Sequence, residues 1–185
     1  MSVIAVRVYD DKIEIAADSQ ATVADDTYKV VLGRKDSKLF VSDNIILGAA
    51  GEYENISMLK TFLKINPQDI HSVEDVYGFL KIFREWEREI KGTEVNNDQS
   101  FILVTNGKAF YVNCFEVQEI ETHMSTGTGG RISTTIMNYN PKESAENAVK
   151  QAIKEDIYCG GPIICYTMDK LSGTIFKDNK PYQER

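Results

Sequence analysis

The sequence predicts an α+β protein in which β-sheets stack between helical layers. Apolar, β-branched-rich runs are grouped in pairs around short polar turns, and two pairs of amphipathic helices separate the groups. The resulting order of strands, helices, strands, helices, strands is typical of segregated α+β architectures and not of an alternating parallel fold. The length of 185 residues suits a single domain over residues 1–185.

Two predicted hairpins open the chain. The first joins the runs 3–8 and 12–17, and the second joins the runs 38–41 and 44–49. The second hairpin closes on the small-residue sequence Gly-Ala-Ala-Gly at 48–51, which exposes backbone at its end. We therefore expect the chain to enter a sheet almost at its first residue, with a polar stretch between the hairpins.

Two amphipathic helices are expected next, over residues 52–65 and 72–91, because apolar side chains recur there at intervals of three and four. Ser72 and Asp75 predict a capping box at the start of the second helix, and Gly92 predicts its end. We expect Trp86 to pack in the core. The apolar stripe of this helix consists of Val76, Phe79, Leu80, Phe83, Trp86 and Ile90.

The C-terminal half returns to strands and then to helices. The dipeptide Asn106-Gly107 is a strong hairpin signal between two apolar runs. Residues 125–130 are interpreted as a loop that leads into a helix. Strands are expected at 101–105, 109–113, 115–121, 162–168 and 174–177, and helices at 132–138 and 141–156.

Composition excludes several classes of function. A net charge of −7 provides no cationic field for phosphates, so nucleic acid is not an expected partner. No apolar run reaches the roughly 18 residues of a spanning helix and no signal peptide is apparent, so we expect neither membrane insertion nor secretion. The cysteines, Cys114, Cys159 and Cys165, lack zinc-site spacing and are expected to be reduced, buried thiols of a cytoplasmic protein.

The chain lacks the common catalytic motifs, but its N-terminal strand offers a candidate nucleophile. No GxSxG, HExxH or Walker A string is present, and the glycine-rich 126–130 lacks a following lysine. Removal of initiator Met1 would leave Ser2 with a hydroxyl nucleophile and an α-amino group whose pKa lies near neutrality, so one residue would supply nucleophile and base. This chemistry needs no metal and no cofactor.

Such a site needs three further groups. A cation must lie near the hydroxyl, an anion must hold that cation, and a backbone N–H must stabilise the oxyanion. Lys38, Asp18 and Gly51 are the candidates for these roles.

From Ser2 onward the sequence resembles the mature start of proteasome β subunits and of the bacterial peptidase HslV. Asp18 falls without a gap on the family's acidic residue, inside Asp-Ser-Gln-Ala-Thr, which is similar to HslV's Asp-Gly-Gln-(Ala/Val)-Thr. Ser-Lys-Leu-Phe at 37–40 resembles the family's Lys-Lys-Leu-Phe and puts Lys38 on the catalytic lysine. Lys35 is the alternative, although only Lys38 precedes an apolar pair that continues a strand.

The resemblance extends to the oxyanion turn and to the C-terminal half. It puts Gly51 on the glycine that supplies the oxyanion N–H. Ser-Thr-Gly-Thr-Gly at 125–129 resembles the family's Ser-Thr-Gly-Ser-Gly, and Asp-Ile-Tyr-Cys-Gly-Gly at 156–161 resembles its Asp-x-x-Ser-Gly-Gly. Accessory positions around the N-terminus therefore match Thr128, Asp156 and Cys159. The similarity covers residues 2–51 and 124–170 and is thin between them.

The resemblance implies a four-layer αββα sandwich of two antiparallel sheets between helical layers, the N-terminal-nucleophile (Ntn) hydrolase fold. It also implies a peptidase that works on peptide or unfolded protein inside a homo-oligomeric ring, and it leaves open an unfolding ATPase as a partner. Thr22 would align an extended peptide through its backbone. Serine in place of threonine and Cys159 in place of serine both predict lower activity.

Two other functions fit the same residues. A catalytically inactive assembly protein would keep the fold but retain Met1, so that an amide would replace the free amine of Ser2. An Ntn amidase acting on a small amide would have a closed pocket and would need no ring.

Overall fold

The computed structural model describes residues 2–24, 29–32, 38–92, 99–177 and 180–181, with the backbone alone described at 22–24, 29–32 and 180–181. This part of the chain forms thirteen strands and four helices. The strands are β1 (Ile4–Val8), β2 (Lys12–Ala17), β3 (Ala21–Ala24), β4 (Lys29–Leu32), β5 (Leu39–Ser42), β6 (Ile45–Ala50), β7 (Ser100–Thr105), β8 (Lys108–Asn113), β9 (Glu116–Glu119), β10 (His123–Thr126), β11 (Ile164–Asp169), β12 (Ile175–Lys177) and β13 (Lys180–Pro181). The helices are α1 (Tyr53–Ile65), α2 (Val73–Lys91), α3 (Gly130–Tyr139) and α4 (Ala145–Glu155).

The strands form two antiparallel sheets and one separate ribbon. The first sheet has the order β10-β1-β2-β11-β12-β13, and the second has the order β5-β6-β7-β8-β9. Strands β3 and β4 pair only with each other among the described residues. Every pairing is antiparallel. The pairs β1-β2, β5-β6 and β7-β8 are hairpins joined by short turns, whereas the pairs β1-β10, β2-β11 and β6-β7 join distant segments of the chain.

Alternation along β1 shows how the layers are built. Ile4 and Val6 point into a core between the two sheets, whereas Val3 and Ala5 point towards α3 and α4. Both faces of the chain are therefore buried at residues 3–6, which explains the unbroken apolar sequence Val-Ile-Ala-Val there.

A third apolar cluster lies on the outer face of the second sheet. Phe62, Phe79 and Phe83 of α1 and α2 pack there against the sheet. The layers run α3/α4, first sheet, second sheet, α1/α2, which confirms the predicted α+β, four-layer αββα sandwich. Within the described ranges, no helix is long and apolar enough to cross a membrane.

The predicted caps of α2 are confirmed. The Ser72 hydroxyl accepts from the backbone N–H of Asp75 (3.2 Å) while the Asp75 carboxylate accepts from the N–H of Ser72 (3.0 Å), and Gly92 ends the helix in the left-handed conformation with φ of 64°. Trp86 is only half-buried, although its ring packs 5.3 Å from that of Phe62. Ile90, at the end of the predicted stripe, is 58% exposed.

Three local predictions were wrong. The ribbon β3-β4 lies in what was expected to be a polar stretch, and β10 ends with residues 125 and 126, which were expected to belong to a loop. Strand β10 reads His-Met-Ser-Thr, without apolar alternation, and it forms because Thr126 pairs with Ile4 at the sheet edge. All three cysteines lie in the described part of the chain and none forms a disulfide; only Cys159 is buried, whereas Cys114 and Cys165 are half-buried.

Candidate functional site

Ser2 lies just before β1 and borders a cavity between the two sheets. The residue is 4% exposed, and the cavity has a volume of about 350 Å³. Gly51, at the end of β6, lines the same cavity from the second sheet, and Gly127 and Thr128 line it from the turn after β10. The remaining lining residues are Ala50, Glu52 and Ser100.

Asp18, directly after β2, is the centre of the site's hydrogen bonding. It is fully buried, and its Oδ1 accepts from the N–H of Val3 (2.9 Å) and from Lys38 Nζ (2.6 Å). Its Oδ2 accepts from the N–H groups of Gly160 (3.1 Å) and Gln20 (3.3 Å). Four donors occupy the acceptor positions of the carboxylate, so Asp18 fixes the surrounding chain and the lysine.

Lys38 is held at the beginning of the second sheet. Its carbonyl accepts from the N–H of Ala49 (3.2 Å), and its side chain is only 11% exposed where it forms the ion pair with Asp18. The oxygen that binds Nζ also accepts from the N–H of Val3, the residue next to Ser2. The structure thus brings the predicted cation and anion together beside the N-terminus. Lys35, the alternative, lies outside the described residues.

The turn after β10 holds the backbone of Ser2. The N–H of Gly129 donates to the Ser2 carbonyl (3.1 Å), and Thr128 Oγ1 accepts from Ser2 N (3.3 Å). Gly127 adopts φ of +88°, and a Cβ there would lie 2.2 Å from the Ser2 carbonyl oxygen. Only glycine fits this close approach, so the turn positions Ser2 through backbone contact.

Asp156 and Cys159 form a hydrogen-bonded pair next to Thr128. Asp156 is the C-cap of α4, and its carboxylate accepts from the N–H of Tyr158 (2.8 Å) and from the Cys159 thiol (3.3 Å). Cys159 Sγ lies 3.8 Å from Thr128 Oγ1. Burial, reinforced by the charge of Asp18 and the hydrogen bond to Asp156, raises the pKa of Cys159 to about 12. The thiol therefore stays protonated near neutral pH and acts as a donor, not as a nucleophile.

Gly51 and Thr22 occupy the remaining predicted positions. Gly51 has φ of 141°, a value that L side chains rarely adopt, and it faces the cavity that contains Ser2. Thr22 lies in β3, where its backbone pairs with Val31 of β4.

Gly160 is a part of this site that the sequence reasoning did not include as a site residue. Its N–H donates to Asp18, its carbonyl accepts from the N–H of Ser19 (3.1 Å), and a Cβ at this position would lie 2.3 Å from Gln20 Oε1. The adjacent glycines at 160 and 161 were the available signal, because paired glycines often mark close backbone approach.

Comparisons with known proteins identify the fold. No protein-family model and no curated protein matches the sequence. Among solved structures, BPH from Thiobacillus denitrificans matches with a TM-score of 0.78 and 16% identity over 92% of this chain and 99% of that chain. The same protein in complex with epoxomicin matches with a TM-score of 0.78 and 15% identity over 90% and 98% of the two chains.

Eukaryotic HslV from Trypanosoma brucei also matches, with a TM-score of 0.68 and 16% identity over 90% of this chain and 99% of that chain. These similarities span nearly the whole length of each structure, so they concern the complete αββα sandwich. They confirm at the level of fold the resemblance seen in the sequence. The chain therefore has the HslV-like fold of proteasome-type Ntn hydrolases.

Proposed function

We propose that this chain is a proteasome-like peptidase that hydrolyses peptide bonds with the Ser2 hydroxyl, exposed as an N-terminal nucleophile by removal of Met1. One observation carries the proposal. A single buried carboxylate oxygen, Asp18 Oδ1, binds both Lys38 Nζ and the N–H of Val3, and Val3 directly follows Ser2, which lines the cavity. A buried ion pair is costly unless its geometry is well satisfied.

In the proposed reaction the free α-amine of Ser2 takes the proton of its own hydroxyl as Oγ attacks the peptide carbonyl. Lys38 stabilises the developing negative charge on Oγ, and Asp18 keeps the lysine in place. Thr128 accepts a hydrogen bond from Ser2 N and so orients the base.

The Gly51 N–H is assigned to the oxyanion of the tetrahedral intermediate. Collapse of that intermediate breaks the C–N bond, and the leaving amine receives the proton held by the α-amine. Water then attacks the Ser2 ester, releases the acyl group as a carboxylic acid and restores the hydroxyl. Every proton transfer in this sequence uses a group of Ser2 itself.

Substrate alignment is assigned to the backbone at Thr22. In the extended strand β3 this residue pairs with β4 on one side only among the described residues, and an extended peptide would add a strand on the other side. Peptide or unfolded protein is accordingly the proposed substrate.

We further propose that the chain works in the cytoplasm as a homo-oligomeric ring that encloses the site, with an unfolding ATPase as an additional partner. The surface between α1 and α2 supports assembly. It contains a cavity of about 500 Å³ bordered by Met58, Trp86 and Ile90, and Tyr53 beside it is 57% exposed. An apolar cavity of this kind is typical of a surface that meets another protein.

The proposal is tested with chains that begin at Ser2, released from an N-terminal fusion and assayed on a library of peptide coumarylamides. We expect hydrolysis by the Ser2 chain and none by the Ser2→Ala chain. Ser2→Thr should hydrolyse at least as fast, because the added methyl group restricts the hydroxyl rotamer. Equal hydrolysis by the Ser2 and Ser2→Ala chains would refute the proposal.

A further inference from the structure

A second cavity lies next to the one that contains Ser2. Its volume is about 410 Å³, and it shares Gly127 with the first cavity. It opens between β10, the first turns of α3 and one residue of the second sheet, Tyr111 of β8. The reaction proposed above uses none of the other residues that line it, which are Tyr111, Ser125, Thr126, Gly130, Arg131, Thr134 and Thr135.

The order of strands shows which half of a substrate would reach this cavity. In the first sheet β1 lies between β10 and β2, and the chain continues from β2 through Asp18 into β3. Ser2, just before β1, therefore has the segment that leads from Asp18 into β3 on one side and the turn after β10 on the other. If the acyl half of a peptide runs beside β3, as proposed, the leaving half must pass Gly127 and enter the second cavity.

The lining of this cavity favours an anion. Five of its side chains carry hydroxyl groups, Arg131 is the only charged one among the described residues that line it, and the first turn of α3 contains no acidic residue. Arg131 forms no ion pair with any residue of the described ranges. Arg131 is exposed beside this open, hydroxyl-lined cavity, so its guanidinium is available to bind a carboxylate in bidentate geometry.

Tyr111 adds a phenol hydroxyl, a hydrogen-bond donor, to the lining of the second cavity. Burial is the main cause that raises the pKa of Tyr111, the nearby Glu116 carboxylate raises it further, and a hydrogen bond with Thr126 of the same cavity partly offsets the two. The phenol therefore remains protonated at neutral pH and can donate a hydrogen bond.

We infer that this second cavity is a leaving-group subsite in which Arg131 selects an acidic residue directly after the scissile peptide bond. The inference rests on the proposed peptidase function. The added specificity comes from substrate binding at Arg131 and does not involve the residues that break the peptide bond.

The test compares internally quenched peptides that share one acyl half and carry Glu, Gln or Lys after the scissile bond. A coumarylamide with the same acyl half reports catalysis without a peptide in the second cavity. For the chain beginning at Ser2, we expect kcat/KM for the Glu peptide to exceed that for the Gln peptide by about threefold to tenfold, mainly through KM. The ratio should fall as salt is added.

Arg131→Gln should bring the Glu/Gln ratio close to one and leave coumarylamide hydrolysis unchanged. Arg88→Gln, the same change at an exposed position of α2 outside both cavities, should preserve the ratio. A ratio near one in the unmodified chain, or a preference that survives Arg131→Gln, while the coumarylamide is still cleaved, would overturn the subsite. Failure to cleave any of the substrates would instead overturn the peptidase proposal, and the subsite with it.

Discussion

Replacing Lys38 by Met should damage stability and activity together, because the lysine is half of a buried ion pair. Met keeps most of the aliphatic stem, so the change removes the charge with little loss of volume. Among the described residues, the fully buried Asp18 carboxylate then keeps three backbone N–H donors, from Val3, Gln20 and Gly160.

The size of the stability loss depends on the three hydrogen bonds that Asp18 keeps. Removing one partner of a buried ion pair costs about 3–5 kcal/mol when the other charge is left without compensation. Three charge-assisted hydrogen bonds remain to Asp18, so we expect a loss nearer 2–3 kcal/mol in the free energy of unfolding. Hydrolysis should fall by about 10²–10³-fold, as when one group that stabilises developing charge is removed.

Urea unfolding followed by tryptophan fluorescence measures the first effect, and coumarylamide hydrolysis measures the second. Lys108→Met is the matched control, because Lys108 pairs with Glu119 at 3.1 Å with both side chains about 40% exposed. Such exposed pairs contribute about 0–1 kcal/mol. If Lys38→Met costs no more stability than Lys108→Met, the pair with Asp18 does not hold the site together and the reasoning fails.

Three further predictions concern the turn, the thiol and the assembly. Gly127→Ala should abolish hydrolysis and destabilise the fold because its Cβ would meet the Ser2 carbonyl. The control Gly78→Ala, in α2, places a Cβ with no heavy atom within 4 Å and should raise the unfolding free energy by about 0.5–1 kcal/mol, so equal effects of the two variants in thermal melts would contradict this geometry. Cys159 should resist iodoacetamide at pH 8 in the folded chain, and rapid alkylation of Cys159 in mapped peptides would be inconsistent with its burial. Because its folded-state pKa is raised, the contribution of Cys159 to stability is complete below its usual pKa of 9.0 and is lost as pH rises towards 12. Light scattering should give a mass several times that of one chain, and Ile90→Lys should reduce it by placing a charge on the exposed apolar surface; a monomer in both cases would count against the ring.

Sequence periodicity was sufficient for the elements whose own side chains decide their structure. The hairpin β1-β2 and the helix α2 carry clear apolar patterns, and the capping box at Ser72 is entirely local. Residue spacing and the family resemblance also predicted that Asp18 is the anion that holds the Lys38 cation, and the structure places their charged atoms 2.6 Å apart. This agreement arises because Asp18 directly follows one predictable strand and Lys38 directly precedes another.

The elements that were missed depend on distant partners. Strand β10 has a polar sequence and exists because β1 offers an edge, so no local pattern could reveal it. The role of Gly160 as a donor to Asp18 joins residues 142 positions apart. Burial of Lys38 also follows from the meeting of two sheets, since a lone lysine before a strand is ordinarily solvated.

The central claim, that Ser2 with a free amine is the nucleophile, is tested most directly by locating the acyl-enzyme. Chains released from a fusion to begin either at Ser2 or at Met1 are incubated with a peptide p-nitrophenyl ester, quenched in acid and mapped by mass spectrometry. We predict an acyl adduct on the Ser2 hydroxyl in the first chain and none in the second, because an amide cannot accept the hydroxyl proton. An adduct on another residue, or equal acylation of both chains, would contradict the account.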